Sequence, residues 1–156
     1  MTIKLVAGDK APEFTLLDQD QNEVSLSQFR GQKVLVFFYP RASTPGCTTQ
    51  CCAVSETKSE FMEKGTVVLG ISPDTPRKQK NFDTKKELGF PLLSDLEHET
   101  AEAFGIWQLK KLYGREYMGI VRSSFLIDED GKIIEAWYKV SPKNTVPFAL
   151  EALGQN

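Results

Sequence analysis

The sequence predicts an α/β fold in which helices flank a central mixed β-sheet. Apolar runs rich in β-branched residues alternate along the chain with segments of helical periodicity, and this alternation favours parallel strands joined by helices. Near the carboxyl end, a Glu-Asp-Gly turn joins two further apolar runs and predicts a β-hairpin, whose strands are antiparallel. A sheet that contains both kinds of pairing is mixed.

The first half of the chain is predicted to contain a hairpin, two buried strands and a helix. Short apolar runs bounded by turn residues predict an N-terminal β-hairpin, and two longer strands follow on either side of a helix that ends at Gly65. The predicted hairpin strands are 14–17 and 24–26, the buried strands are 33–39 and 66–72, and the helix is 47–64.

The second half predicts shorter elements, followed by the final hairpin and a last helix. The turn at 73–76 leads into a helix that runs to about Leu88. His98, the only histidine, opens a short helix and is expected to be an ordinary polar residue there. The later elements are a strand at 90–93, a helix at 97–104 closed by Gly105, hairpin strands at 120–128 and 132–140, and a helix at 145–153.

The stretch 107–119 holds three basic residues among aromatic ones, namely Lys110, Lys111 and Arg115. A strip of basic and aromatic residues is one signature of a nucleic-acid or partner surface. Because the chain as a whole carries a net negative charge, a solvated surface loop is the favoured interpretation.

Length and composition narrow the class of protein. A chain of 156 residues is the size of one domain, so we expect a single domain over residues 1–156. The formal net charge of -2 gives no reason to expect nucleic acid or an anionic membrane as a partner. The sequence has no signal-peptide core and no apolar run near the roughly 20 residues of a membrane span. We therefore expect a soluble, cytoplasmic protein.

Cys47 is predicted to lie in the first turn of a helix, after a loop that begins at Pro40. Thr44 suits the N-cap position, and Pro45 suits the first helical position because its missing N–H would have no partner there. The unpaired backbone N–H groups and the positive end of the helix dipole favour an anion at this point. We therefore expect the Cys47 thiolate to be stabilised and its sulfur to be reactive.

All three cysteines lie within 47–52, which differs from the scattered, paired cysteines of a disulfide-stabilised secreted domain. A zinc site is not favoured, because the adjacent Cys51 and Cys52 lack the usual ligand spacing and His98 is distant in sequence. We expect no metal, and thiols that are clustered either for chemistry or by chance.

Two nested motifs around Cys47 resemble the peroxiredoxins, thiol enzymes that reduce peroxides. The spacing Pro40-x-x-x-Thr44-x-x-Cys47 is similar to their active-site signature. The longer pattern Tyr-Pro-x-x-x-Thr-Pro-Gly-Cys-Thr-x-x-x-Cys, from Tyr39 to Cys52, resembles the bacterioferritin comigratory protein or peroxiredoxin Q branch. Further segments occur in the order of that branch, namely Gly-Ile-Ser at 70–72, Leu-Leu-Ser-Asp at 92–95, Phe-Gly-Ile-Trp at 104–107 and Arg-Ser-Ser-Phe-Leu-Ile-Asp at 122–128.

This resemblance implies a thioredoxin-like fold and a thiol peroxidase that acts on hydrogen peroxide and organic hydroperoxides. By resemblance, Cys47 is the peroxidatic nucleophile, Thr44 hydrogen-bonds the sulfur or the peroxide, Pro40 shields the pocket and Arg122 supplies a fixed positive charge. Taken individually, Thr44 is equally a helix cap, Pro40 a strand terminator and Arg122 a solvated strand residue. The resemblance also implies recycling by thioredoxin or a similar dithiol protein, no cofactor, and a monomer rather than a large oligomer.

The identity of the resolving cysteine is left open between two neighbours. The resemblance selects Cys52, but Cα atoms five residues apart in a helix are about 8 to 9 Å from each other, beyond the ~7 Å limit for a disulfide. The first turns of the helix must therefore unwind before Cys47 and Cys52 can join. Cys51, about 6 Å from Cys47 at Cα, is better placed in an intact helix, although its Cβ separation of ~5 to 6 Å is still long. Cys51 is also readily interpreted as a small buried residue.

Two other functions compete with the peroxidase. A thioredoxin-like disulfide oxidoreductase is disfavoured because the chain has no Cys-x-x-Cys motif. A redox sensor or chaperone-like protein that uses oxidation of Cys47 to expose a partner surface remains open. Another subgroup of the branch that this chain resembles has its resolving cysteine in the helix after the second central strand. The corresponding helix here, predicted up to Leu88, contains no cysteine, so the resemblance implies local, intramolecular resolution.

Overall fold

The computed structural model describes residues 4–154 as alternating strands and helices. The strands are β1 (Thr15–Leu17), β2 (Glu23–Ser25), β3 (Lys33–Phe38), β4 (Thr66–Ser72), β5 (Leu92–Ser94), β6 (Trp107–Leu112), β7 (Arg115–Ile120), β8 (Ser123–Ile127) and β9 (Ile133–Trp137). The helices are α1 (Pro45–Glu63), α2 (Pro76–Lys86), α3 (Glu99–Ala103) and α4 (Thr145–Gly154). Short 3-10 turns cover Leu26–Phe29 and Pro142–Asn144.

Seven strands form one sheet in the order β2-β1-β5-β4-β3-β8-β9. β3 pairs parallel with β4, and β4 pairs parallel with β5, whereas β8 lies antiparallel to both β3 and β9. β1 and β2 pair antiparallel from Thr15↔Ser25 to Leu17↔Glu23, which confirms the predicted N-terminal hairpin. The predicted mixed sheet flanked by helices is therefore confirmed.

The unbroken apolar run of β3 is buried on both faces of the sheet. Alternate residues enter two separate cores, Val34, Val36 and Phe38 in one, and Leu35, Phe37 and the following Tyr39 in the other. The second core also contains Cys47 and Cys51 of α1. Burying each large apolar side chain contributes roughly 1.5–3 kcal/mol, so β3 is a firmly held base for the loop that follows it.

The interpretation of 107–119 as a solvated loop is wrong in its conformation. β6 and β7 form a separate antiparallel hairpin, paired from Trp107↔Ile120 to Leu112↔Arg115. At its turn, Tyr113 and Gly114 have φ values of 52° and 78°, the left-handed conformation that a type I′ hairpin turn requires at both positions. Most side chains of this hairpin are exposed, so the predicted surface position is confirmed.

The same hairpin changes the boundary of the strand predicted at 120–128. β8 begins only at Ser123, because Ile120 pairs with Trp107 as the last residue of β7. Arg122 consequently lies in the short link between β7 and β8 rather than within a strand. β9 is likewise shorter than predicted.

The predicted helices are confirmed, with ends that differ by at most two residues from the expected bounds. Gly65 takes a left-handed φ of 68° directly after the C-cap of α1, as expected of a glycine that ends a helix. His98 occupies the N-cap position of α3, as predicted. Within residues 4–154, none of the helices combines the length and hydropathy that crossing a bilayer requires.

Candidate active site

Cys47 lies in the first turn of α1, at the position that the sequence predicts. The helix begins at Pro45, with Thr44 as its N-cap residue. The Cys47 side chain is 1% exposed and packs in the same core as Tyr39. The backbone N–H groups of a first turn have no partner within the helix, and the helix dipole is positive there, so the start of α1 presents free donors and positive partial charge beside Cys47.

Arg122 brings a positive charge to this sulfur from the link between β7 and β8. Its Nη2 donates to Cys47 Sγ at 3.5 Å. Gly46 permits this approach, because a Cβ at that position would lie 3.1 Å from Nη2 and 3.5 Å from Cγ of Pro142. The missing side chain at Gly46 therefore lets the guanidinium lie across the start of α1.

Gln50 holds the other side of the guanidinium, and its role was not predicted from the sequence. Nη1 of Arg122 donates to Gln50 Oε1, and Gln50 Nε2 donates to Oγ1 of Thr145 in α4 at 2.9 Å. The Gln50 side chain is fully buried. The available signal was a polar residue one turn after Cys47 on the buried stripe of the helix, since a buried amide needs hydrogen-bond partners.

Thr44 and Pro40 lie in the loop that precedes α1. The Thr44 hydroxyl donates to the carbonyl of Arg41 at 2.8 Å and makes no capping bond to the helix. A hydroxyl has one proton, so a bond from Thr44 to the sulfur or to a peroxide requires rotation of this side chain or use of its oxygen as an acceptor. Pro40 is half-buried and lies two residues after the end of β3.

A buried network of hydrogen bonds connects this loop to β4 and α2. Oδ2 of Asp74 accepts from the backbone N–H of Ala42 at 2.7 Å and from the Ser72 hydroxyl at 2.7 Å. Gln79 donates to Ser72 Oγ at 2.8 Å and accepts from the Tyr39 hydroxyl at 2.6 Å. Burial raises the pKa of Tyr39 well above its usual value, and nearby Cys51 adds to the effect. The network links the end of β4 and the face of α2 to the loop before Cys47.

The three cysteines are free thiols in different surroundings. Cys51 is fully buried, as its interpretation as a core residue expects, whereas Cys52 is half-buried. Burial raises the pKa of Cys51 well above its usual value, and the neighbouring Cys47 and Cys52 raise it further, against a smaller opposing effect of Arg122. Cys51 therefore stays protonated in the folded protein, and a protonated thiol is a poor nucleophile.

Metal-binding groups are scattered in the described part of the chain. Among residues 4–154, no group of three or more His, Cys, Asp or Glu side chains lies close enough together to hold a metal ion. His98 stacks on the indole of Trp107 with ring centroids 3.9 Å apart, and its Nδ1 lies 2.6 Å from a carboxylate oxygen of Glu102. These contacts give the histidine a structural role at the start of α3.

Comparison with known proteins places this geometry in a family. The AhpC/TSA family matches residues 7–136. A putative peroxiredoxin bcp of Haemophilus influenzae is 56% identical over 140 residues, which cover 90% of each chain. Peroxiredoxin Bcp of Bacillus subtilis is 45% identical over 153 residues, which cover 98% of this chain and 96% of the relative.

Solved structures show the same similarity. The bacterioferritin comigratory protein of Xanthomonas campestris, studied for its alkyl peroxide reduction activity, superposes with a TM-score of 0.86 at 30% identity and covers 98% of this chain. The match covers 97% of that protein. PrxQ of Xylella fastidiosa superposes with a TM-score of 0.91 at 28% identity, over 97% of this chain and 96% of the other. This likeness confirms the thioredoxin-like fold.

Proposed function

This chain belongs to the AhpC/TSA family and is a thiol-dependent peroxidase of the Bcp and PrxQ type, and from that premise we propose that it reduces hydrogen peroxide and organic hydroperoxides. In this proposal Cys47 is oxidised to a sulfenic acid, Cys52 resolves it as an intramolecular disulfide, and thioredoxin or a similar dithiol protein reduces the disulfide. The observation that carries the proposal is the 3.5 Å contact between Arg122 Nη2 and Cys47 Sγ at the start of α1.

The first step is attack of the Cys47 thiolate on one peroxide oxygen. An S–O bond forms, the O–O bond breaks, and the second oxygen leaves as hydroxide or alkoxide that takes up a proton. Negative charge moves from the sulfur to the leaving oxygen during this step. The guanidinium of Arg122 and the N–H groups of the first turn of α1 are positioned to stabilise that charge at both ends of the transfer.

Gln50 and Gly46 orient the Arg122 guanidinium for this step. The guanidinium is planar and presents a fixed fork of N–H donors, so fixing one nitrogen orients the others. Gln50 accepts from Nη1, which leaves Nη2 directed at the sulfur, and Gly46 leaves room for both. Thr145 completes the arrangement by accepting from Gln50.

The surroundings of the two candidate resolving thiols favour Cys52. The resolving thiolate attacks the sulfur of the Cys47 sulfenic acid, an S–S bond forms and the hydroxyl leaves as water. Cys51 is fully buried and held in its protonated form, whereas Cys52 is partly accessible. Because Cα atoms five residues apart in a helix are about 8 to 9 Å from each other, the first turns of α1 must unwind to form this disulfide.

The proposed site is assembled within one chain. Residues from the start of α1, the β7–β8 link and α4 meet around Cys47 within the same chain. We propose that the protein acts as a monomer in the cytoplasm, where cysteine clusters are kept reduced. Sedimentation of the reduced protein is then expected to give the mass of a single 17.5 kDa chain.

Steady-state peroxide consumption with thioredoxin tests the proposed function. Wild type is compared with the serine variants of the three cysteines, Cys47→Ser, Cys51→Ser and Cys52→Ser. We expect Cys47→Ser to lose turnover and Cys52→Ser to keep the first oxidation but to recycle poorly. Normal turnover in Cys52→Ser together with failure in Cys51→Ser would overturn the choice of resolving thiol. Oxidation of Cys47 without turnover in wild type would instead favour a redox sensor.

A further inference from the structure

α2 is the most basic helix of the chain. Five of its eleven residues are Lys or Arg and one is Asp, which gives it a net charge of +4 in a chain whose formal charge is -2. Lys78 lies in its first turn, at the positive end of the helix dipole, where a cation is unfavourable. Helix stability therefore does not explain Lys78, and a departure of this kind from a local rule is typical of functional positions.

Both ends of α2 are connected to α1 or to the loop before it. Asp74, two residues before α2, accepts from the backbone N–H of Ala42 in that loop at 2.7 Å. Just after α2, the carbonyl of Leu88 accepts from the hydroxyl of Ser55 in α1 at 2.6 Å. These contacts place α2 alongside the first half of α1, on the same face of the sheet.

The two flanks of α2 have different neighbours. Lys80 pairs with Asp20 at 2.8 Å, so this flank faces the turn of the β1–β2 hairpin. Lys78 and Lys85 are seven residues apart, and the helical repeat places both of them on the opposite flank, toward α1. Both are exposed, and within the described residues 4–154 neither ammonium forms an ion pair. The flank of α2 toward α1 thus presents two free positive charges.

Cys52 lies on the flank of α1 that faces α2. Cys52 and Ser55 are three residues apart and share a face of the helix, and Ser55 is the residue that contacts the Leu88 carbonyl. Gln50, on the other flank, bonds to Thr145 of α4. Cys52 is half-buried, whereas the other two thiols are buried. The accessible thiol of the cluster therefore opens toward the basic flank of α2.

We propose that Lys78 and Lys85 form part of the docking surface for the dithiol protein that reduces the disulfide between Cys47 and Cys52, and that this partner presents an acidic face around its own thiols. The proposal rests on the proposed function, because it takes this disulfide as the partner's substrate. A reductant must approach along the side of α1 where Cys52 is accessible, and α2 borders that side. Opposite charges across such a contact raise the rate of encounter.

The reduction itself needs no charge on α2. One partner thiolate attacks a sulfur of the disulfide, so that the bond between Cys47 and Cys52 breaks and a mixed disulfide forms. The second partner thiol then displaces the chain, which gains two electrons and two protons while the partner leaves as a disulfide. Dithiothreitol performs the same exchange without a docking surface. Comparing it with a protein dithiol therefore separates docking from chemistry.

The test measures the rate constant for reduction of the disulfide form. In a Cys51→Ala background, diamide oxidises the two remaining thiols to the disulfide without peroxide, and stopped-flow mixing with reduced thioredoxin follows its reduction. We expect Lys78→Gln with Lys85→Gln to slow this reduction by about threefold to tenfold at low ionic strength and to flatten its dependence on salt. Reversal of both charges to Glu is expected to slow it further. The rate with dithiothreitol is expected to stay unchanged.

Lys10→Gln with Lys132→Gln is the matched control, because it removes the same charge from two exposed lysines. These residues form a bridge near the start of β3, at the end of the strand away from the Cys47 loop. Their thioredoxin rate is expected to equal that of the background. If the α2 pair also reacts at the background rate, or if both pairs slow equally, the proposal is overturned. An equal slowing with dithiothreitol would likewise overturn it, since the lysines would then act on the disulfide itself.

Peroxide consumption with dithiothreitol as the only reductant tests the proposed function separately. If wild type consumes no peroxide, the proposed function fails, while the disulfide made by diamide still reports on docking. If peroxide is consumed but thioredoxin does not reduce the disulfide, the docking proposal fails and the peroxidase stands. Binding of a short single-stranded DNA that is lost in Lys78→Gln with Lys85→Gln, with an unchanged thioredoxin rate, would assign the surface to nucleic acid and overturn the proposal.

Discussion

The backbone N–H of Ala42 donates to the carboxylate of Asp74 at 2.7 Å, which ties the loop before Cys47 to the end of β4. The same carboxylate oxygen accepts from the Ser72 hydroxyl, so both donors depend on one side chain. Asp74 is buried, and its position sets where the loop leaves the sheet. The folded arrangement of the Cys47 site therefore depends on a residue more than twenty positions away in sequence.

Asp74→Ala is expected to destabilise the protein and to loosen the Cys47 loop. The substitution leaves the part-buried Ala42 N–H and the buried Ser72 hydroxyl without this acceptor, and an unsatisfied buried donor costs about 1–3 kcal/mol. Urea unfolding of the reduced protein measures the change in the free energy of unfolding. Asp74→Asn, which keeps one carbonyl acceptor, is expected to lose less, and equal losses in the two variants would contradict the role of the carboxylate.

Gln50→Ala is expected to slow oxidation of Cys47 by about 10-fold to 100-fold, because a hydrogen bond to a charged group contributes roughly 1.5–3 kcal/mol. Without Gln50, the guanidinium of Arg122 loses the acceptor that directs Nη2 toward the sulfur. Stopped-flow measurement of Cys47 oxidation by hydrogen peroxide gives the rate constant.

Thr145→Val is the companion variant, since it removes the other partner of Gln50 without touching Arg122. We expect a smaller loss of rate, in the same direction. An unchanged rate in Gln50→Ala would show that Arg122 holds its position without the amide.

Gly46→Ala is expected to slow oxidation of Cys47 without lowering the free energy of unfolding. The added methyl group would lie 3.1 Å from Nη2 of Arg122, so the guanidinium must shift by a few tenths of an ångström. Alanine is the better helix former by about 1 kcal/mol in a helix interior, so the unfolding free energy is expected to hold or rise. Peroxide oxidation of Cys47 is expected to slow by up to about 10-fold. A lower free energy of unfolding together with an unchanged rate of Cys47 oxidation would contradict this expectation.

Stability is expected to fall at alkaline pH, and Cys51 is one cause. Burial raises the pKa of Cys51 in the folded state, so the unfolded chain loses this proton at a lower pH than the folded chain does. The stabilisation is fully present below the thiol pKa of the unfolded state, roughly 8.5, and is lost as pH rises above that value by up to about 1.4 kcal/mol per unit. Tyr39 acts with the same sign at higher pH.

Urea unfolding under reducing conditions, repeated from pH 7 upward, measures this loss. Cys51→Ala is expected to flatten the pH dependence between roughly pH 8.5 and 9.5 relative to wild type, whatever its effect at neutral pH. Parallel curves for the two proteins would exclude Cys51 as the titrating group.

Local sequence patterns predicted the central sheet and the helices, but they did not predict the β6–β7 hairpin on the surface. After Lys33, every residue of β3 is apolar because both faces of the strand are covered. The β6–β7 hairpin was missed because most of its side chains are exposed, which removes the alternation that marks a strand. Its Tyr113-Gly114 turn was the signal that should have been given more weight.

The residues of the candidate site likewise fall into those that local patterns predict and those that they do not. Cys47 and Arg122 were predicted because their motifs are local, and the structure brings them together. Gln50 and Asp74 were not predicted, because their partners lie far along the chain and become neighbours only after folding. Such contacts leave no periodic trace in one sequence, whereas a cap, a turn or a buried strand does.

The length of α1 confines the proposed rearrangement to one end of the helix. Val54 and Phe61, both fully buried, fix the middle and the last turns of α1 to the sheet, while the residues before Val54 carry the thiols. In the proposed cycle, the first turns of α1 unwind when the disulfide forms and refold when it is reduced, while the rest of the helix stays packed on the sheet. The buried residues at the start of α1 then leave the second core while Val54 and Phe61 keep the rest of it covered, which limits aggregation and proteolysis during each cycle.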